Sequence, residues 1–282
     1  MMNVTKIGVV GAGNMGLGIA QVGAQAGYEV ILFDISDKQL QLAQTTISGS
    51  VKKLHEKGKI TDAPDVVLSR LKLSQNLSDM APVDLIIEAA TENREIKFKL
   101  FMDLDKLLRP EAILASNTSS ISITQIATQT KRPDKVAGMH FMNPVPIMKL
   151  VEGIRGMATS DECFKVVRAV AEKMGKTFIE AKDFPGFAVN RILMPMINEA
   201  FFALQEGLAS PEDIDQAMKL GCGFPMGPLE LADFVGLDIC FSVCEILYRD
   251  LGNPKYCPAP LLRKYVEAGW LGRKTGRGVY VY

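Results

Sequence analysis

Four polar side chains are placed where they could oxidise an alcohol or reduce a ketone: Ser119, His140, Glu152 and Asn190. His140 is one of only two histidines and ends an apolar, strand-like segment. Glu152 ends the next such segment after a short loop with two prolines, so the two strands can lie side by side. A buried carboxylate beside an imidazole fixes its tautomer and stabilises the imidazolium. Histidine is suited to take the alcohol proton near neutral pH, although a hydrogen-bonded structural histidine is the alternative.

The other two side chains suit the oxygen of the same substrate. Hydroxyl and amide donors such as Ser119 and Asn190 can hold a developing alkoxide or a carbonyl oxygen. In an open α/β sheet, ligands bind beyond the carboxyl ends of the strands. We therefore expect the chemistry at that edge of the sheet, close to His140.

Oxidation of an alcohol also needs a hydride acceptor, and residues 6–34 have the pattern of a dinucleotide site. Apolar residues 7–10 predict a strand, and residues 29–33 predict a second strand that ends at Asp34. Between them a helix begins at a glycine-rich turn, Gly11-Ala12-Gly13-Asn14-Met15-Gly16. Its first glycine permits the turn, its second lets the pyrophosphate approach, and its third lets the helix pack on the strand. A merely tight turn is the alternative, but it leaves the acid at the strand end unexplained.

The acid at the end of the second strand predicts which dinucleotide binds. The Asp34 carboxylate can accept hydrogen bonds from the adenine ribose, and it would repel the 2′-phosphate of NADP. No arginine occurs in residues 35–37 to pair with that phosphate. We therefore predict NAD rather than NADP.

Composition excludes several classes of protein. The chain has 282 residues, is 48% hydrophobic and has a formal net charge of zero, which argues against binding to nucleic acid or anionic membranes. No apolar run has the length of a membrane span, and the first strand begins too early for a signal peptide to precede it. The five cysteines form no CxxC pair, so we expect reduced thiols, no metal site and a cytoplasmic protein.

The pattern of elements changes near Asp183. Before it, strands and helices alternate, which predicts a Rossmann-like, doubly wound and mostly parallel sheet in residues 1–184. Residues 185–282 predict an all-helical second domain. Its first helix, residues 188–207, is apolar on nearly every face, which indicates burial in a core or between subunits.

A basic segment ends the helix that follows Asp34, and it contains Lys52, Lys53 and Lys57. Lysines at a helix end are commonly solvated and complement the helix dipole. The alternative is that they contact the phosphates of a large anionic substrate.

Several longer motifs resemble one enzyme family. They are GAGNMGLGIAQ, IIEAATEN, ASNTSSISIT, GMHFMNPVPIMKLVE, DFPGFAVNR, GCGFPMGPLELADFVGLD and GWLGRKTGRGVY. Over essentially its full length, the chain resembles the short-chain L-3-hydroxyacyl-CoA dehydrogenases. The resemblance implies that His140 is the catalytic base and Glu152 its partner. It also implies that Ser119 and Asn190 contact the carbonyl region of the acyl-CoA.

The same resemblance implies further contacts. Glu92 and Lys97 would lie near the cofactor, and Asn117 would line the nicotinamide pocket. The family's substrates carry coenzyme A, which favours phosphate contacts for the three lysines of the basic segment. The helical domain forms a dimer in this family, so a homodimer is expected.

We therefore predict reversible, NAD-dependent interconversion of (S)-3-hydroxybutyryl-CoA and acetoacetyl-CoA. The same residues would serve reduction in butyrate or butanol formation and oxidation in fatty-acid breakdown. One alternative is a dehydrogenase of free hydroxy acids, but those enzymes commonly use a catalytic lysine. A second alternative is a nucleotide-binding or structural protein without activity, which the intact set of four polar side chains argues against.

Overall fold

The chain folds into two compact units, Met1–Phe184 and Pro185–Tyr282, which we call the first and the second unit. The computed structural model describes residues 2–282. Among these residues, no helix combines the length and the apolarity that crossing a membrane requires.

One eight-stranded sheet organises the first unit, in the order β3-β2-β1-β4-β5-β6-β7-β8. Its strands are β1 (Lys6–Val10), β2 (Glu29–Phe33), β3 (Leu71–Ser74), β4 (Leu85–Glu88), β5 (Ile113–Ser116), β6 (Val136–Phe141), β7 (Leu150–Arg155) and β8 (Thr177–Lys182). All neighbouring strands are parallel except β6 and β7. The loop between those two strands is too short for a parallel crossover, which explains the exception. The predicted Rossmann-like, mostly parallel sheet is confirmed.

The described helices of the first unit connect these strands. They are α1 (Asn14–Gln25), α2 (Asp37–Glu56), α3 (Pro64–Ser69), α4 (Arg94–Leu107), α5 (Ile123–Ala127) and α6 (Asp161–Lys173). Ser36, Asn93 and Ser160 cap α2, α4 and α6 through side-chain oxygens that accept backbone N–H groups. The sequence did not predict α3 and α5, because six and five residues are too few for a helical period to be visible.

The strand order creates the crevice expected for a ligand. The chain proceeds outward from β1 through β2 to β3, and then returns to the other side of β1 with β4. At such a reversal, the loops after neighbouring strands separate and leave room at the carboxyl ends. Strands β4, β5 and β6 are buried along their whole length, which fixes the positions of the loops that follow them.

The second unit is helical. Its described helices are α7 (Val189–Gln205), α8 (Pro211–Cys222), α9 (Pro228–Val235), α10 (Leu237–Leu251) and α11 (Pro260–Glu267). Within this unit α7 buries one face, including Ile197 and Phe201, while Ile192 remains 73% exposed. The helix that reads as apolar all round is therefore covered only in part by its own unit.

The C-terminal tail is held by two buried aspartates of the second unit. Asp233 accepts hydrogen bonds from the backbone N–H groups of Val279 and Tyr280, each at 2.9 Å. The Tyr280 hydroxyl donates to Asp215 at 2.7 Å. Burial and this contact raise the pKa of Tyr280. The tail, predicted to become extended, forms isolated bridges rather than a regular strand in the part that the structure describes.

Candidate active site

The glycine turn between β1 and α1 has the geometry that a pyrophosphate requires. Gly11 has a φ of +100°, and a Cβ atom there would lie 2.6 Å from the Cα of Ala90. A Cβ atom on Gly16 would lie 1.7 Å from the carbonyl oxygen of Gly11. At Gly13 a Cβ atom would meet no described atom within 4 Å, so this side of the turn is open. No side chain of the described residues caps α1. The first N–H groups of this helix can therefore donate to an anion.

Asp34 lies beside this turn at the end of β2. Its two carboxylate oxygens accept the N–H groups of Ala12 at 2.8 Å and Ser36 at 2.9 Å. The acid lines a cavity of about 370 Å³ whose wall includes the apolar side chains of Ile35 and Ile96. An apolar wall suits an adenine ring, and a fixed carboxylate suits ribose hydroxyls. The residues present therefore fit an adenine dinucleotide.

His140 and Glu152 face each other across the antiparallel strands β6 and β7, where they are register partners. His140 is 8% exposed and Glu152 is fully buried. The His140 Nδ1 lies 2.8 Å from a Glu152 carboxylate oxygen. The carboxylate can only accept, so it favours the tautomer whose proton is on Nδ1 and leaves Nε2 as the basic nitrogen. The structure thus brings the predicted base and its partner together.

Glu92 holds the loop that follows β5. Its carboxylate accepts hydrogen bonds from the Ser119 backbone N–H at 2.6 Å, the Ser119 hydroxyl at 2.9 Å and the Thr118 hydroxyl at 2.7 Å. On the same loop, the Asn117 side-chain oxygen accepts from the backbone N–H of Phe141 at 2.8 Å. Ser119 and Asn117 are therefore fixed relative to the strand that carries His140.

A buried ion pair lies beneath this loop. Lys97 and Glu88 are 1% and 0% exposed, and their side chains form a close ion pair. Glu88 also accepts from the Ser116 hydroxyl at 2.7 Å and from the backbone N–H of Ala90 at 2.9 Å. The Lys97 side chain points into the unit, toward the ends of β4 and β5. Lys97 would therefore affect a bound cofactor indirectly, because it fixes the ends of β4 and β5.

Two of the three predicted lysines line a common cavity in the first unit. Lys53 in the last turn of α2 and Lys57 directly after it line the cavity together with the loop segment 143–147 and Asn14 at the start of α1. The cavity has a volume of about 540 Å³. Lys52 is exposed and lies outside its lining. The structure therefore separates Lys52 from the other two lysines.

Two predicted residues lie at the starts of helices. Met15 is the second residue of α1 and is half-buried against the core of the first unit. Asn190 is the second residue of α7, in the second unit.

Comparison with known families decides the classification. Residues 6–184 match the family model of the 3-hydroxyacyl-CoA dehydrogenase NAD binding domain. Residues 186–282 match that of the 3-hydroxyacyl-CoA dehydrogenase C-terminal domain. The chain belongs to the 3-hydroxyacyl-CoA dehydrogenase family. It is therefore an NAD-dependent oxidoreductase, as its sequence predicted.

Relatives within the dehydrogenase family span the whole chain. A probable 3-hydroxybutyryl-CoA dehydrogenase from Deinococcus radiodurans is 56% identical over 98% of this chain and 100% of the relative. The 3-hydroxybutyryl-CoA dehydrogenase from Bradyrhizobium diazoefficiens is 53% identical over 99% of this chain and 96% of the relative. The crystal structure of (S)-3-hydroxybutyryl-CoA dehydrogenase from Ralstonia eutropha has a TM-score of 0.96 and 52% identity, covering 99% of each chain. The resemblance to the 3-hydroxyacyl-CoA dehydrogenases is confirmed, and these three relatives are bacterial 3-hydroxybutyryl-CoA dehydrogenases by name.

Sequence reasoning missed Glu88, the acid that pairs with Lys97 beneath the loop after β5. Glu88 ends an apolar strand, as Asp34 does, and that shared pattern was the available signal. Ser116 gave no such signal, because a serine after a short strand is common. Its place in the network depends on β4 and β5 being neighbours.

Proposed function

We propose that this chain is an NAD-dependent (S)-3-hydroxybutyryl-CoA dehydrogenase that interconverts (S)-3-hydroxybutyryl-CoA and acetoacetyl-CoA. The observation that carries the proposal is the buried pair of His140 and Glu152, with Nδ1 and the carboxylate oxygen 2.8 Å apart. The proposal is also supported by relatives of that name at 53–56% identity over the whole chain.

His140 moves the proton of the reaction. In oxidation its Nε2 takes the proton of the 3-hydroxyl group, and in reduction it returns that proton to the forming alkoxide. Glu152 accepts the Nδ1–H throughout and stabilises the imidazolium when it forms. General acid–base catalysis of this kind contributes about 10²–10⁴-fold to the rate.

Ser119 and Asn190 hold the substrate oxygens. Glu92 holds Ser119 in place through its backbone N–H and also accepts the one proton of its hydroxyl group. That hydroxyl group would turn from Glu92 to the substrate oxygen when charge develops there. The part played by Asn190 rests on its match to the family motif at the start of the helical unit.

The cofactor is NAD rather than NADP. When bound, it supplies the hydride acceptor or donor. The glycine turn and the start of α1 would hold its pyrophosphate, and Asp34 would bind the adenine ribose. A 2′-phosphate beside this carboxylate would leave two like charges close together, which disfavours NADP.

The cavity between α2 and the loop 143–147 would hold the phosphate-bearing part of coenzyme A, with Lys53 and Lys57 as the cations. The three lysines supply a matched control. Lys57→Ala is expected to raise the KM for acetoacetyl-CoA several-fold, whereas Lys52→Ala leaves it unchanged because Lys52 lies outside the cavity. Equal effects of the two substitutions would refute this location.

The functional unit is a homodimer that forms through the helical unit. Large apolar side chains of that unit are exposed, among them Ile192, Leu208, Leu220 and Phe234. Covering such side chains is a common role of a subunit interface. Sedimentation of the purified protein at the mass of a single chain would refute the dimer. The cytoplasmic location stays a prediction.

Substrate choice tests the proposed function. NADH oxidation is measured with acetoacetyl-CoA, with longer 3-ketoacyl-CoA esters and with free acetoacetate. Turnover of acetoacetyl-CoA and none of the free acid is expected. Turnover of the free acid alone would favour a hydroxy-acid dehydrogenase, and no turnover of any substrate would favour a protein without activity.

A further inference from the structure

Lys176 is a buried lysine that the proposed chemistry does not use. It lies between α6 and β8 and is 6% exposed. Its Nζ donates hydrogen bonds to the carbonyl oxygen of Val145 and, at 2.9 Å, to that of Met148. A buried lysine is tolerated only where its donors are satisfied, so these two carbonyl groups account for its position.

Both acceptors belong to the loop between β6 and β7, residues 142–149, which we call the β6–β7 loop. Two prolines in this loop remove backbone donors and prevent a regular ladder. The loop bonds within itself through the N–H groups of Ile147 and Met148, which donate to the Pro144 carbonyl oxygen at 3.0 Å. Two neighbouring residues link the loop to the start of β8: the side chain of Lys176, and the backbone N–H of Thr177, which donates to the Lys149 carbonyl oxygen at 2.7 Å.

Helix α1 holds the same loop from another side. Val145 is 1% exposed, and a Cβ atom on Gly18 would lie 2.8 Å from the Val145 Cβ. Helix and loop are thus in contact with no room for a methyl group. The Val145 carbonyl binds Lys176 while its side chain packs on α1, so the loop is fixed on both sides.

The β6–β7 loop forms one wall of the cavity that Lys53 and Lys57 face. The loop contributes residues 143–147 to that wall. A shift of the loop would change the distance between this wall and the two lysines at the end of α2. His140 and Glu152 lie outside the loop, in the paired strands β6 and β7, whose register is held by backbone hydrogen bonds.

We propose that Lys176 is a positioning residue, which holds the β6–β7 loop as the wall of the coenzyme A cavity and so sets the affinity for the coenzyme A part of the substrate. This inference rests on the proposed function, because it takes the cavity as the coenzyme A site. It assigns Lys176 to substrate affinity and not to proton or hydride transfer.

The chemistry of the amine suits a permanent support. Burial and the nearby charge of Lys149 lower the pKa of Lys176 to about 8. A neutral amine still carries two N–H donors, one for each of the two carbonyl groups. The two hydrogen bonds to the loop therefore persist above and below that pH. A change of pH does not release the loop.

Lys176→Met tests the proposal, because methionine has a similar length and no donor. KM and kcat are measured for acetoacetyl-CoA and for the acetoacetyl thioester of N-acetylcysteamine, which lacks the nucleotide. We expect the KM for acetoacetyl-CoA to rise about tenfold, which corresponds to about 1.4 kcal/mol of binding free energy, with kcat and the KM for NADH within about twofold. The kcat/KM for the short thioester stays unchanged. Lys165→Met, an exposed lysine on α6, is the control.

Gly18→Ala is the second variant, since its methyl group must displace Val145 while Lys176 remains intact. It carries the test if Lys176→Met does not fold, and the same selective rise in KM is expected. Equal losses of kcat/KM with both thioesters overturn the proposal, and so does an unchanged KM for acetoacetyl-CoA. An inactive wild-type protein would instead refute the proposed function, so the two failures are distinguishable.

Discussion

Replacing Glu152 by glutamine removes one charge from the buried pair while keeping the shape of the side chain. Glu152 is fully buried, and its oxygen lies 2.8 Å from the His140 Nδ1. A hydrogen bond to a charged group contributes about 1.5–3 kcal/mol, and a neutral one contributes about 0.5–1.5 kcal/mol. The difference of about 1–2 kcal/mol corresponds to a fall in rate of roughly 5–30-fold. We expect this fall in kcat, because the imidazolium forms only as the reaction proceeds.

The assay is steady-state reduction of acetoacetyl-CoA, with the affinity for NADH measured separately by fluorescence. Glu152→Gln is expected to bind NADH as the wild-type protein does, since the carboxylate does not contact the glycine turn. Glu180→Gln is the matched control, because this glutamate is exposed on the neighbouring strand β8. A kcat within about twofold of wild type would refute the reasoning, since a charged partner would then contribute nothing measurable.

Three further predictions concern the cofactor, the thiols and pH. Asp34→Asn is expected to lower the preference for NADH over NADPH at least about tenfold in kcat/KM, and an unchanged ratio would contradict the role of the charge. Burial raises the pKa of the thiols of Cys163 and Cys244 to about 12. Two exposed thiols of five should therefore react rapidly with a thiol reagent in the folded protein, and more than two would argue against the packing described. Lys176 has a pKa lowered to about 8 from 10.5, so between these values the unfolded chain holds more protons than the folded one. Wild-type stability, measured by denaturation relative to Lys176→Met, should rise with pH across that window, and a fall would contradict it.

Much of the fold could be predicted from local patterns in the sequence. Apolar runs bounded by turn residues predicted the strands, and the observed bounds of β2, residues 29–33, agree with the prediction. Two prolines in a short connection predicted that β6 and β7 lie side by side, which is why His140 and Glu152 could be paired in advance. The two short helices α3 and α5 could not be predicted, because their formation depends on packing rather than on periodicity.

The finer arrangement of the site depends on contacts that are distant in sequence. Glu92 holds Ser119 across 27 positions, and Lys176 reaches Val145 across 31 positions, so neither contact leaves a local pattern. The three lysines of the basic segment are a different case. Lys53 in α2 and Lys57, the residue that follows this helix, are four residues apart and lie on the same side, whereas Lys52 points about 100° away from Lys53. Helical spacing alone could therefore have predicted that Lys52 lies apart from Lys53 and Lys57.

We propose that His140 transfers the proton of a 3-hydroxyacyl-CoA. The most direct measurement compares wild type and His140→Gln in the reduction of acetoacetyl-CoA by NADH, with NADH binding measured on the same samples. We expect kcat to fall about 10²–10⁴-fold and the affinity for NADH to stay unchanged, because the histidine would act on the substrate and not on the cofactor. Turnover by His140→Gln at close to the wild-type rate would contradict it.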